Sequence, residues 1–340
     1  MVGKKLLITA ALAILTACSD NVFSPSESTG AGSGSSMFPA QPAAPPVPVT
    51  GNPIMGARLW VDPVSNARLT ADSWRATRPE DAAYMDKIAS HPQARWFGGW
   101  SADIRRDVNA AVSAVTSAGA VPLLVAYNIP QRDCGQLSAG GATIDGYAAW
   151  ISEFANGLAG RKAVVILEPD ALAQLNCLSA RDQETRINLI QYAVQLLRAQ
   201  GGLVYLDGGH ASWRSASDQA SRLVRANVAA ADGFVLNVSN FQYTSTSIAY
   251  GKSISSRIGG KHFLIDTSRN GLGPAPDNAW CNPSGRALGS APSTATGDEV
   301  VDAYLWIKAP GESDGACGIA PAAGIWWPDY ALGLAQRSAL

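Results

Sequence analysis

The stretch Ala163-Val-Val-Ile-Leu-Glu-Pro-Asp170-Ala-Leu-Ala-Gln-Leu175 decides the fold. Five apolar residues, two of them valines, run without a polar break, as in a strand covered on both faces of a parallel sheet. Pro169 has no N–H to give to a strand ladder, so the strand must stop there and pass Asp170 to a loop. In parallel α/β barrels the chemistry sits just past the carboxyl ends of the strands. Asp170 stands at such a position.

Working outward, further apolar runs alternate with helical patterns. Leu59-Trp-Val-Asp62 reads as a first short strand and Arg95–Gly99 as a second, with a helix after it capped by Ser101 and ended at Gly119. Val121–Asn128 is a buried strand whose exit loop carries Arg132-Asp133-Cys134. A helix from about Thr143 to Leu158 leads to the opening stretch, and another from about Ala180 to Ala199 follows it. Leu203–His210, Gly233–Asn240, His262–Asp266 and Ala303–Lys308 supply the later strands, and Pro328 opens the last helix. No G-x-G-x-x-G follows a strand, and no P-loop or G-x-S-x-G elbow occurs in the folded part.

Composition narrows the chemistry. The net charge is −1 and charged residues make up 16%, which gives no electrostatic case for nucleic acid. Three histidines, with no H-E-x-x-H and no C-x-x-C, argue against a metal hydrolase or a bound cofactor. A general acid or base is therefore expected to be a carboxylate. Asp133, Asp170, Asp207, Asp266 and Asp314 each fall at or just beyond a strand's carboxyl end, where a barrel would bring them to one face. Taken singly, each could be an ordinary turn or capping aspartate. Close carboxylates cannot all ionise cheaply, so one should keep its proton and act as an acid. Two such groups flanking a bond describe glycoside hydrolysis. Ten tryptophans then gain a purpose, since indole faces stack on pyranose rings. Trp96, Trp213 and Trp280 read as strand-end platforms, Trp150 and Trp306 as core.

The amino terminus has a basic start and an apolar run of about a dozen residues, too short to span a bilayer. Residues 1–17 read as a lipoprotein signal peptide, because Leu15-Thr-Ala-Cys18 resembles a lipobox that would lipidate Cys18. Residues 18–50, rich in Pro, Ser, Gly and Ala, read as a tether, and residues 51–340 as the catalytic domain. Cys18 is the odd one of five cysteines, and the other four can pair. An exported protein, anchored to a membrane only through Cys18, is expected.

The whole pattern resembles glycoside hydrolase family 6, cellulases that cleave β-1,4-glucan with inversion. The motifs stand in family order: Ala126-Tyr-Asn-Ile-Pro-Gln-Arg-Asp-Cys134, Leu167-Glu-Pro-Asp170, Tyr205-Leu-Asp-Gly-Gly-His210 with Trp213, Asn237-Val-Ser-Asn240, Ile265-Asp-Thr-Ser-Arg-Asn-Gly271, Trp280-Cys-Asn-Pro-Ser-Gly285, and Leu305-Trp-Ile-Lys308 with Gly311-Glu-Ser-Asp-Gly315. The resemblance implies an α/β fold, a distorted, TIM-like barrel of seven parallel strands. It implies Asp170 as proton donor, Asp133 as modulator of the donor, Tyr127 pressing on the distorted sugar and Asp314 as the debated base. Asp207, His210, Asn237, Lys308 and Glu312 match sugar-binding positions. The resemblance also implies disulfides Cys134–Cys177 and Cys281–Cys317. One departure stands out: Ala139 falls where many members carry a water-holding serine, with Ser138 adjacent.

The segment between Cys281 and Cys317 is short, as in bacterial endoglucanases with open clefts. The expected partner is a β-glucan polysaccharide or oligosaccharide, and the expected state a monomer. An exo-acting cellobiohydrolase and a non-catalytic glucan-binding surface lipoprotein are the competing readings. An esterase or peptidase would need a nucleophile with a paired histidine, which the sequence lacks.

Overall fold

The structure, a computed structural model, describes residues 51–340. The expected signal peptide, Cys18 and the whole of the expected tether, residues 1–50, lie outside them. Seven parallel strands form one sheet in chain order: β1 (Arg95–Phe97), β2 (Leu123–Ala126), β3 (Ala163–Leu167), β4 (Gly202–Asp207), β5 (Gly233–Leu236), β6 (His262–Asp266) and β7 (Val301–Leu305). Sequential parallel strands joined by crossovers of one hand curl the sheet toward a barrel. The curl stops short of closure, because no ladder joins β7 to β1. That seam is bridged by Ala94 N donating to Trp306 O at 2.9 Å and by the Trp96 indole N–H donating to Ile307 O at 2.8 Å.

Alternation along the strands builds two cores, one on each face of the sheet. Val125, Val164, Ile166, Tyr205, Val235, Leu264 and Ala303 point into the barrel and pack together. Leu124, Val165, Leu167, Val204, Phe234 and Phe263 point outward beneath the helices. These helices are α1 (Asn66–Trp74), α2 (Pro79–Ala89), α3 (Ile104–Ser117), α4 (Ile144–Leu158), α5 (Ala180–Ala199), α6 (Ala216–Arg225), α7 (Thr244–Ser255) and α8 (Pro328–Gln336). A third cluster, with Trp306 at its centre, joins α1, α2 and α8. Gly157 lets α4 lie close on α3, since a Cβ there would come within 2.7 Å of Val108 Cβ.

The strands read as Val121–Asn128, Leu203–His210 and Gly233–Asn240 end earlier, at Ala126, Asp207 and Leu236, and the structure departs from the sequence reading at further places. Leu59 makes one parallel bridge to Val121 and no strand, because Val61 turns to solvent and the chain leaves toward α1. The cap of α3 is Asp103, whose carboxylate accepts from Arg106 N at 3.0 Å, and not Ser101. β7 ends at Leu305, short of Lys308, because the N–H groups of Ile307 and Lys308 turn to the Asp266 carboxylate.

Candidate active site

β3 delivers Asp170 through a strained exit. Glu168 and Asp170 both hold left-handed backbone, with φ of 50° and 70° on either side of Pro169. What holds this turn is the Glu168 side chain, buried beneath it. Its Oε2 accepts from Asn128 N and Ile129 N, each at 2.9 Å. Arg186 answers with the opposite polarity: its guanidinium donates to Pro130 O, Gln131 O and Ala171 O. One buried anion and one buried cation thus pin the exits of β2 and β3 to each other.

The β2 exit carries Tyr127, Arg132 and Asp133. Arg132 donates to the carbonyls of Tyr127, Ser138 and Ala139, which folds the loop back on itself. Asp133 Oδ2 accepts from Ser138 N and Ser138 Oγ, both at 2.9 Å, and Oδ1 accepts from Gln174 Nε2 at 2.9 Å. The Tyr127 hydroxyl lies 2.9 Å from Ser138 Oγ. Ser138 therefore links Asp133 to Tyr127, while Ala139 contributes its carbonyl to Arg132. Asp314, past β7, accepts from Arg269 at 2.9 Å and Asn282 N at 3.0 Å through Oδ2. The Lys308 ammonium lies 3.8 Å from its Oδ1.

These groups open into one cavity of about 1110 Å³. Its walls include Asp170, Asp133, Asp314, Tyr127, Trp96, His210, Trp213, Trp280, Lys308 and Glu312, all singled out from the sequence. Asp207 and Asn237 do not reach it. Asp207 lies beneath the floor, accepting from Asp170 N at 3.0 Å and Gly209 N at 3.1 Å. Asn237 is fully buried at a left-handed turn, and its amide is spent on Gln242 N and Asp266 O. The carboxylate constellation also loses Asp266, which accepts from the N–H groups of Ser239, Ser268, Ile307 and Lys308 and serves the backbone. Trp96 lies within β1 and not in a loop, its ring edge-on to Tyr127 with centroids 5.2 Å apart. Trp306 is wholly buried and Trp150 packs against the core, as their positions imply. Trp60, Trp100 and Trp326 also line the cavity and were missed. So were Arg132, Ser138 and Glu168 as organisers, although each stands inside or beside a quoted motif.

The electrostatics single out Asp170. Burial, followed by the charges of Asp207, Asp133 and Asp314, pushes its carboxyl well above the usual carboxylate range. Burial also raises Asp207, but the N–H groups of Asp170 and Gly209 oppose that rise. Among the described residues the Asp170 carboxyl gains no comparable donor, so of the two it is the one that favours holding a proton. Burial lowers His210 to about 4, leaving a neutral imidazole whose Nδ1 has no protein partner. Two disulfides, Cys134–Cys177 and Cys281–Cys317, tie loops next to Asp133 and Asp314.

A parallel barrel with a buried, protonated carboxyl group facing other carboxylates across an indole-walled cavity belongs to the class of acid–base hydrolytic enzymes. Residues 54–338 match the family model for glycosyl hydrolases family 6, and the chain belongs to that family. It is similar to endoglucanase A of Cellulomonas fimi, with 45% identity over 282 residues, covering 82% of this chain and 61% of that protein. Against endoglucanase 1 of Streptomyces halstedii the identity is 42% over 303 residues, covering 85% of this chain and 92% of the other. The chain thus spans about three-fifths of the first of these relatives and nearly all of the second. Among solved structures, the endoglucanase Cel6 from Mycobacterium tuberculosis, in complex with methyl-cellobiosyl-4-deoxy-4-thio-beta-D-cellobioside, superposes with a TM-score of 0.80. Its identity is 45%, covering 84% of this chain and 99% of that one.

Proposed function

We propose that the protein hydrolyses internal β-1,4-glycosidic bonds of cellulose or a related β-glucan, with inversion, acting as a monomer. The observation that carries this reading is the buried Asp170 carboxyl, facing Asp133 and Asp314 in a cavity walled by Trp96, Trp213 and Trp280, with its pKa pushed upward by burial and those charges. Asp170 gives its proton to the leaving glycosidic oxygen as the bond breaks. Water enters from the opposite face of the sugar, where Asp133 and Asp314 steer or accept its proton. Inverting pairs leave room for that water, with carboxyls roughly 6.5–9.5 Å apart. Tyr127, wedged between Trp96 and Ser138, presses the sugar ring toward the flattened shape of an oxocarbenium-like transition state. Lys308 and Glu312, with His210, bond hydroxyls along the chain. The relatives named endoglucanase and the short Cys281–Cys317 segment, 36 residues apart in sequence, support attack within the chain.

Proton NMR of the first product formed from a cello-oligosaccharide should show the α-anomer; an initial β-anomer excludes the mechanism. Viscosity of a soluble cellulose derivative should fall steeply while few reducing ends appear. A slow viscosity fall with steady cellobiose release points instead to an exo-acting enzyme.

Cys18 is proposed as a lipidated amino terminus, with residues 18–50 as a tether holding the enzyme at the bacterial envelope. The basic start, the short apolar run and the odd cysteine support this. Metabolic labelling with a clickable fatty acid should mark the wild type and not Cys18→Ser; equal labelling of both would overturn it.

A further inference from the structure

We propose that Trp100 forms an additional sugar-binding platform at the rim of the cavity, taking one glucosyl ring of a chain longer than the sites flanking the scissile bond. This rests on the glucan reading above. Trp100 is 58% exposed, a large apolar surface to leave in water, yet it lines the cavity that holds Asp170. Its indole is not free to wander. The ring lies flat over the backbone at Gly98, where a Cβ would come within 2.4 Å of a ring carbon, so only glycine admits this pose.

The Arg132 guanidinium lies over both rings, 5.5 Å from the Trp100 centroid and 4.6 Å from the Tyr127 centroid. Arg132 is itself nearly buried and held by three carbonyls, so it fixes the distance between the two aromatic rings. Trp100 is therefore a rigid, exposed indole in register with the tyrosine at the cleavage point. Its occupant is a neutral pyranose presenting C–H bonds to the ring face. Continuity with the catalytic cavity favours a glucan over a protein partner, since a chain already threaded past Tyr127 passes this ring.

The test compares the full chain and Trp100→Ala on cello-oligosaccharides of three to six units. The ratio of kcat/KM on the six-unit chain to that on the shortest chain cleaved should fall about 3- to 10-fold, the size of one aromatic stacking contact. Trp100→Phe should restore part of it, and Gly98→Ala, which pushes the indole off its seat, should reproduce the loss. An unchanged ratio in both Trp100→Ala and Gly98→Ala overturns the proposal. An equal loss at every chain length also overturns it, because that marks a structural effect passed through Arg132 to Tyr127. If the wild type neither binds nor cleaves any of these chains by calorimetry and reducing-end release, the glucan reading itself fails.

Discussion

Asp170 and Glu168 stand two residues apart on the same strand exit and do opposite jobs. The Asp170 pKa is raised first by burial and then by its negative neighbours, among which Asp207 contributes most. Replacing Asp207 with Asn removes that charge and lowers the Asp170 pKa, so the alkaline limb of the kcat–pH profile should move to lower pH. A limb that stays in place would show that Asp207 does not set the acid. Glu168 spends its carboxylate on two backbone N–H groups beside Tyr127, and burial raises it to about 7. Glu168→Ala would leave those donors buried and unpaired, at about 1–3 kcal/mol each. Its kcat should fall about tenfold as Tyr127 shifts, while Glu168→Gln keeps one oxygen and most of the rate. The acid was legible from the sequence because a proline stops the strand immediately before it. Glu168 was not legible as a clamp, since a glutamate inside a motif does not reveal which N–H groups it will meet. Asp207, expected at a sugar-binding position, lies below the cavity lining for a related reason: strand-end position fixes the face of the barrel, but depth below the floor depends on the turn that follows.

Elements were easiest to read where packing and local signals agree. β3 and α5 appear where the apolar runs and caps place them, with Ser179 accepting from Asp182 N at the start of α5. α1 went unread because it buries little beyond Ala67 and Ala71, too weak a stripe to stand out. β7 was placed late because Trp306 and Ile307 are as buried as a strand, while their hydrogen bonds belong to the seam and to Asp266. Among the connections, the Cys134–Cys177 bridge has a double effect. It closes a loop of 43 residues and sits one residue from Asp133. The double variant Cys134→Ser, Cys177→Ser should lose about 4 kcal/mol of stability, read as a lower Tm by calorimetry. Its kcat should also drop well below the unfolding temperature, because the Asp133 turn loses its tie to the segment after Asp170.

As a whole the molecule is nearly neutral, with a net charge of −1, and the proposed ligand carries no charge. Diffusional steering is then absent, so kcat/KM on a neutral oligosaccharide should change less than about twofold between low and high salt, measured by reducing-end release. The unclosed seam has a mechanical consequence. β3 is paired with a strand on both sides, whereas β1 and β7 are joined to each other by one backbone bond and one indole bond, and Tyr304 of β7 bonds Ser293 on its other side. Trp96 stands on β1 and Lys308 just past the end of β7, so these two walls of the groove flank the seam while the acid stands at the end of a strand paired on both sides. Hydrogen exchange should find the Ala94 amide opening far more readily than those of β3, and equal protection would deny the difference. For the proposed glucanase, opening at the seam would widen the groove for chains of uneven girth and leave Asp170 in place, with the Trp96 indole bond to Ile307 as the strut between its walls.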